Sequence, residues 1–418
     1  MKKNRLTLYI LLAMLLGAVV GYVVYVNSAP DFKNSFAANI KLLTTIFLRL
    51  VQMIIAPLVF CTLVVGIAKL GDLKTVGRVG GKALLWFVSA SLVSLLLGML
   101  LVNLFKPGVG FDLSGASASS VKDISGNTSS FTLQHFIEHI FPKSLIDAMA
   151  TNEILQIVVF SIFFGIATAA MGDYAKPLVK ALDIASHIIL KMVGYVMKFA
   201  PVGVFGAIAA TIAINGLEIF LFYGKYFAYF LIGIASLWVI LGTVAYLIIG
   251  KRVKSLLKML TEPLIIAFST TSSEAVFPKL TEELERFGCK DKIVSFVLPL
   301  GYSFNLDGSM MYMTFASIAI AQAYGINLDL GTQLTMLLVL MLTSKGIAGV
   351  PRASLVVVLA TCSMFKIPPE GVALILPIDH FCDMFRSATN VLGNAFATAA
   401  VSKWEGELLN PELEGQIS

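Results

Sequence analysis

The sequence predicts an all-α, polytopic integral membrane protein, and three observations carry that class. Of 418 residues, 57% are hydrophobic and 13% charged, with a mean hydropathy of +0.87. Soluble domains run about 45–50% apolar and about 25% charged, which excludes a water-soluble globule. Seven stretches of nineteen residues or more contain no Asp, Glu, Lys or Arg: 6–30, 50–68, 83–105, 154–172, 199–217, 226–250 and 308–328. Each is long enough to cross about 30 Å of hydrocarbon as a helix. Finally, basic residues gather in short connections that alternate with polar, base-poor ones.

The first stretch follows Met-Lys-Lys-Asn-Arg, which suggests a secretory signal, but its apolar run is too long for a signal core and lacks a small-residue cleavage site. It reads as a retained span. The formal charge of +6 and pI near 9.0 sit in short loops, where basic residues set orientation rather than bind nucleic acid. Lys2, Lys3 and Arg5, the segment 69–82, the run 251–254 and the segment 279–292 read as cytoplasmic; 27–38 and 107–135 read as external. Cys61, Cys289, Cys362 and Cys382 are scattered with no CxxC pair, so they read as reduced packing residues. His135, His139, His187 and His380 form no ligand set, and no HExxH or GxSxG motif points to an enzyme.

After residue 259 the charge-free runs shorten to 263–273, 293–306, 330–344, 353–365 and 387–402, each too short to span alone. Irregular backbone at membrane depth requires burial in protein or a wet cavity. Short, interrupted apolar segments therefore point to a transporter binding site.

Four interruptions matter. Ser269-Thr270-Thr271-Ser272-Ser273-Glu274 sits between an apolar run and a charged segment. It is either the tip of a re-entrant hairpin presenting hydroxyls to a polar ligand, or a helix whose hydroxyls bond back to their own carbonyls. Asn305-Leu306-Asp307-Gly308-Ser309 places an Asp in mid-membrane. It marks local unwinding that frees carbonyls for a hard cation, or a structural Asp–Arg pair. The segment 344–354, with Gly346, Gly349 and Pro351 between two half-length arms, reads as a second hairpin entering from outside, or as an external loop.

In the last span Asp379, Asp383, Arg386, Ser387, Asn390 and Asn394 share one stripe at about 100° per residue. Arg386 offers a planar fork of donors suited to a carboxylate, and Asp383 can accept from an ammonium group. The plainer reading is that these charges only pair with one another.

Residues 259–410 resemble the glutamate transporter family of dicarboxylate/amino acid:cation symporters, and within it bacterial proton/glutamate symporters. The resemblance rests on Thr271-Ser272-Ser273, Asn305-Leu306-Asp307-Gly308-Ser309, Gly349-Val350-Pro351, and Asp383-Met384-Phe385-Arg386-Ser387 running on to Asn390-Val391-Leu392-Gly393. It implies eight transmembrane helices plus two re-entrant helical hairpins with inverted repeats, in a homotrimer whose transport domains move like elevators. Segments 1–75 and 131–220 would be scaffold and trimerisation helices. Segments 76–106 and 221–250 would be further spans, the first moving with the transport domain, and 107–130 an external loop. Hairpin 1, span 7, hairpin 2 and span 8 would form the transport domain over 255–405, followed by a cytoplasmic tail at 406–418. The chain would lie in a bacterial or archaeal cytoplasmic membrane, with both termini inside and lipid around it.

Carried over residue by residue, Arg386 would bind the substrate side-chain carboxylate, Asp383 and Ser387 the α-amino group, and Asn390 and Ser273, beside Ser272, the α-carboxylate. Ser309 would support the side-chain carboxylate, with Val350 to Ser354 as the lid. Asn305, Asp307, Asn390 and Asn394 match cation positions. Relatives carrying plain dicarboxylates tend to lack the aspartate matching Asp383, which favours glutamate or aspartate here.

Coupling departs from the sodium-driven pattern. Asn394 stands where those members carry an aspartate, Leu306 replaces a methionine, and Phe87 and Ala90 replace a tyrosine and a threonine. Loss of hard oxygen ligands lowers sodium affinity, so protons are expected as the coupling ion, with sodium the alternative and no cofactor. Glu274 is the leading proton carrier; Asp307 and Asp383 are alternatives, and Met313 closes the route used by eukaryotic members. Arg352 departs from the usual lid glycine and would close the lid in place of a sodium ion, or lie in water. A channel lined by the polar stripe is the competing class.

Overall fold

The computed structural model describes residues 3–70, 73–110, 141–216, 223–344 and 353–409. They are helical, with no strand among them beyond one isolated bridge. The chain runs through α1 (Lys3–Asn27), α2 (Pro30–Leu70), α3 (Leu73–Phe105), α4 (Leu145–Thr151), α5 (Ile154–Ala170), α6 (Lys176–Val196), α7 (Ala200–Asn215) and α8 (Gly224–Ile249). It continues through α9 (Arg252–Thr270), α10 (Phe277–Phe287), α11 (Asp291–Phe304), α12 (Asp307–Ala323), α13 (Leu330–Thr343), α14 (Ala353–Met364) and α15 (Leu376–Trp404).

Among the described residues, five helical rods are long and apolar enough to cross a membrane: α1, α2, α3, the composite Gly172–Asn215 and α8. One of the seven expected stretches is redrawn: 199–217 is the second half of that composite, because the turn Met197–Phe199 leads α6 directly into α7. The 154–172 and 308–328 stretches form helices of 17 residues, α5 and α12, at the short end of what crosses a membrane. Helix α5 is bounded by positive-φ residues, Asn152 before it at 55° and Gly172 after it at 56°.

Two packed sets of helices result. In the first, α1 and α2 lie along α7, and α2 also packs on α5 and α6. Leu8, Leu12, Leu15, Leu16 and Val19 of α1 are exposed, as expected for a surface that meets lipid. In the second set, α3 and α8 surround α11, α12 and α15, so α8 packs with this half as α3 does. From Asp307 to Ala321 every residue of α12 is buried. The two sets meet where α11 lies along α2 and α5, and where α9 touches α1 and α7.

The helices that position the site are broken ones. Helices α9 and α10 pack against each other across a turn in which Thr271 adopts φ 53°. Their charged ends are tied by Lys279, which reaches Glu283 and Glu282 at 3.2 Å and Glu262 at 3.9 Å. Helices α13 and α14 also contact each other; the tip between them, with Val350 and Arg352, lies outside the described residues.

The far end of α15 is anchored by charge. Glu405 accepts from Arg78 at 3.0 Å and pairs with Lys82 at 2.7 Å, and Glu407 pairs with Lys290 and Lys292. Burial pushes the Glu405 carboxyl up, but hydrogen bonds from Arg78 and Lys82 and their charges hold it below its ordinary value. The backbone of Leu409 donates to Gly288 at 2.8 Å, fastening the chain beyond α15 to the link between α10 and α11.

Candidate functional site

The α11–α12 break is the centre of the site. Asn305 and Leu306 have φ/ψ of −125°/66° and −99°/62°, so one buried segment becomes two helices meeting end to end. Asn390 of α15 satisfies the new helix start. Its Oδ1 accepts from the backbone N–H of Gly308 at 2.9 Å and of Ser309 at 3.3 Å, and its Nδ2 donates to Ser309 Oγ at 3.1 Å. Orphan N–H groups at a helix start need such a partner, above all in a membrane. Two glycines permit the crossing. A Cβ at Gly308 would stand 2.6 Å from the Arg386 carbonyl, and one at Gly393 would collide with Asp307 Oδ2.

Arg386 is fully buried, which demands paired charge and shared hydrogen bonds. Its Nη1 lies 3.0 Å from Asp379 Oδ1, and Nη2 and Nε lie 2.9 and 3.2 Å from Asp383 Oδ1. Its guanidinium stacks 4.0 Å above the Tyr312 ring, and the Tyr312 hydroxyl donates to Asp379 at 2.9 Å. Asp379 is 2% exposed and the Asp383 side chain 23%. Thus Asp379 and Tyr312 fix the guanidinium from behind, and Asp383 is the more accessible carboxylate. The charges of the stripe do pair with one another, as the plainer reading held. The trio nevertheless keeps one net negative charge and an accessible carboxylate beside a fixed cation.

A second polar knot lies one turn away. Asp307 is fully buried; its Oδ2 accepts from Asn305 Nδ2 at 3.1 Å, and its Oδ1 lies 3.5 Å from Ser94 Oγ on α3. The side-chain amides of Asn305 and Asn394 stand 3.1 Å apart. Asn394 is also 3.2 Å from the Asn305 carbonyl and 3.3 Å from that of Gly301, and with its NH2 toward them it donates to both. Of the four candidate cation positions, Asn305, Asp307 and Asn394 therefore converge, while Asn390 serves the α12 start.

At the α9–α10 turn the hydroxyls divide. Ser269 and Thr270 bond back to the carbonyls of Ile265 and Ile266 at 2.6 and 2.7 Å, and Ser272 Oγ accepts from the Ala275 N–H at 3.2 Å. Ser273 and Glu274 are half-buried beside it. Ser354 and Ser387 are buried on α14 and α15. The four cysteines are free and buried.

Sequence reasoning missed Tyr312, and it gave Asp379 a place beside Arg386 only in the plainer reading of paired charges. Tyr312 sits one turn beyond Ser309 in α12, 74 residues from Arg386, so only the folded structure brings its ring under the guanidinium. It also missed that His380 Nε2 meets Thr211 Oγ1 at 2.9 Å, joining α15 to α7.

Helices broken at membrane depth around a buried, ion-paired arginine define a membrane transporter rather than an enzyme. The sodium:dicarboxylate symporter family matches residues 6–404, and the chain belongs to that family. It is 39% identical over 411 residues to a proton/sodium-glutamate symport protein of Bacillus caldotenax, covering 97% of this chain and 96% of the relative. It is also 39% identical to a proton/glutamate-aspartate symporter of Bacillus subtilis, over 96% of this chain and 95% of that one. A C4-dicarboxylate transport protein of Bacillus subtilis is 39% identical as well, over 97% of this chain and 94% of the relative.

Proposed function

We propose that this chain is a proton-coupled symporter of acidic amino acids, glutamate or aspartate, acting as a homotrimeric elevator in a bacterial or archaeal cytoplasmic membrane with both termini inside. The observation that carries the substrate reading is the buried Arg386 held between Asp379 and the more accessible Asp383. A side-chain carboxylate takes the place of Asp383 on the Arg386 fork, and the freed Asp383, with Ser387, receives the α-amino group. Asn390, Ser272 and Ser273 take the α-carboxylate, Ser309 supports the side-chain carboxylate, and Val350 to Ser354 form the lid, with Arg352 closing over the anionic substrate. A plain dicarboxylate leaves Asp383 without an ammonium partner, although relatives of equal identity carry that description.

Proton coupling is supported by the Asn394 amide. A neutral donor turned toward the Gly301 and Asn305 carbonyls satisfies oxygens that a sodium ion would otherwise coordinate. Glu274 is the proton carrier, with Asp307 and Asp383 as alternatives. The moving domain comprises α3, α8 and α9–α15, and the remaining helices form the scaffold.

Competition against labelled glutamate uptake tests the substrate reading. Aspartate competes strongly and fumarate weakly, and D383N narrows that difference. Fumarate competing as well as aspartate in the unmodified protein contradicts it and favours a C4-dicarboxylate carrier.

A further inference from the structure

Helix α8 supplies none of the groups assigned to substrate, yet three of its side chains grip the residues behind them. The Phe230 ring stands edge-on at 5.6 Å to Tyr312, on which the Arg386 guanidinium is stacked. Phe227 meets Phe385 of α15 edge-on at 5.9 Å, and Phe385 also meets Phe268 of α9 at 4.9 Å, directly before Ser269. The third grip is polar. Trp238 Nε1 donates to Thr389 Oγ1 at 2.8 Å.

The direction of that bond is fixed. The Thr389 hydroxyl has one proton, and it goes to the Phe385 carbonyl at 2.8 Å, so only its lone pairs are left for the indole, which can only donate. Thr389 is fully buried, and its Cβ would lie 2.8 Å from a methyl group at Gly308, close behind the Arg386 carbonyl at 2.6 Å. Helix α15 is therefore held between Trp238 on one side and the start of α12 on the other. Ring contacts tolerate a change of angle, whereas a hydrogen bond weakens steeply when misaligned, so the polar grip sets the rotation. Thr389 precedes Asn390, about 100° round the helix. Turning α15 about its axis strains the Trp238 bond and draws Asn390 off the Gly308 and Ser309 N–H groups together.

We propose that Trp238 is a positioning residue for substrate selection: through Thr389 it sets the rotation of α15, and so the span between the Arg386 fork and the hydroxyls of Ser272 and Ser273. This rests on the reading that those groups hold the two ends of an acidic amino acid. A span fixed in this way discriminates glutamate from aspartate, which is shorter by one methylene. Trp238 itself meets no substrate atom and acts through Thr389.

The test is the ratio of glutamate to aspartate affinity, from competition for labelled glutamate uptake in proteoliposomes, read beside the melting midpoint in detergent. W238F keeps an aromatic ring and removes the donor; T389V keeps the side-chain shape and removes the acceptor. Each is expected to change the ratio by about three- to tenfold, the worth of one hydrogen bond. W238F/T389V changes it no more than the larger single substitution, because both break the same bond, and T389S, which keeps the hydroxyl, behaves as the unmodified protein. A lowered melting midpoint with an unchanged ratio in W238F and T389V overturns the proposal. Fumarate competing as well as aspartate in the unmodified protein contradicts the substrate reading instead; the ratio of succinate to glutarate, again one methylene apart, then decides the role of Trp238 by the same criterion.

Discussion

At the scale of single residues, the position of Arg386 is set by groups that never need to meet substrate. Asp379 and Tyr312 hold its guanidinium from one side, at 3.0 Å through charge and 4.0 Å through the ring. Removing one partner of a buried charge pair costs about 2–5 kcal/mol, or about 30-fold to several thousandfold in affinity. Arg386→Ala is therefore expected to weaken glutamate binding by at least about 30-fold, measured by isothermal titration on the purified protein. Tyr312→Phe keeps the ring but drops the hydrogen bond to Asp379, and should cost about tenfold or less. Asn394→Asp places a carboxylate beside Asp307, Asn305 and two backbone carbonyls. It is expected to make uptake sodium-stimulated; sodium indifference in that variant would remove the amide from the coupling account.

At the scale of elements, the helix crossings depend on glycine and the helix ends on charge. A methyl group at Gly393 would drive into the Asp307 carboxylate, and overpacking of this kind costs about 1–3 kcal/mol. Gly393→Ala should lower the melting midpoint in detergent. The Glu405 carboxyl is held below its ordinary value by Arg78 and Lys82. Its contribution to stability is therefore full above the ordinary carboxylate range and fades as pH falls through the lowered value. Glu405→Gln is expected to melt earlier than the unmodified protein at neutral pH, with the difference closing in acid.

These elements also show which parts of the fold could be read from sequence. The break at Asn305–Leu306 was legible because Asn, Asp and Gly together oppose helix, and the α15 stripe because 3.6-residue periodicity puts its charges on one face. Helix ends were not. The union of α6 with α7 depends on the turn Met197–Phe199, where Lys198 had suggested a boundary, and α12 stops at Ala323, short of the charge-free stretch's end at 328. Back-bonding was visible as one of two readings, and it holds for Ser269 and Thr270, whose hydroxyls bond to carbonyls one turn back, while the helix breaks directly after them at Thr271. Tyr312 escaped notice because its role exists only once α12 lies across α15.

For the molecule as a whole, the two packed sets of helices touch over a largely uncharged seam. Helix α11 lies along a length of α2 that has no Asp, Glu, Lys or Arg from 50 to 68, so under the proposed elevator motion few ion pairs there would resist it. Among the described polar contacts across the seam is His380 with Thr211. Thr211→Val removes that hydrogen bond, at about 1 kcal/mol, and is expected to change the rate of glutamate exchange more than glutamate affinity. The most direct test of proton-driven symport is accumulation of labelled glutamate in proteoliposomes given an inward proton gradient, with and without sodium. Accumulation that follows the pH gradient at zero sodium is the expected result. Accumulation that requires a sodium gradient and ignores pH would contradict it.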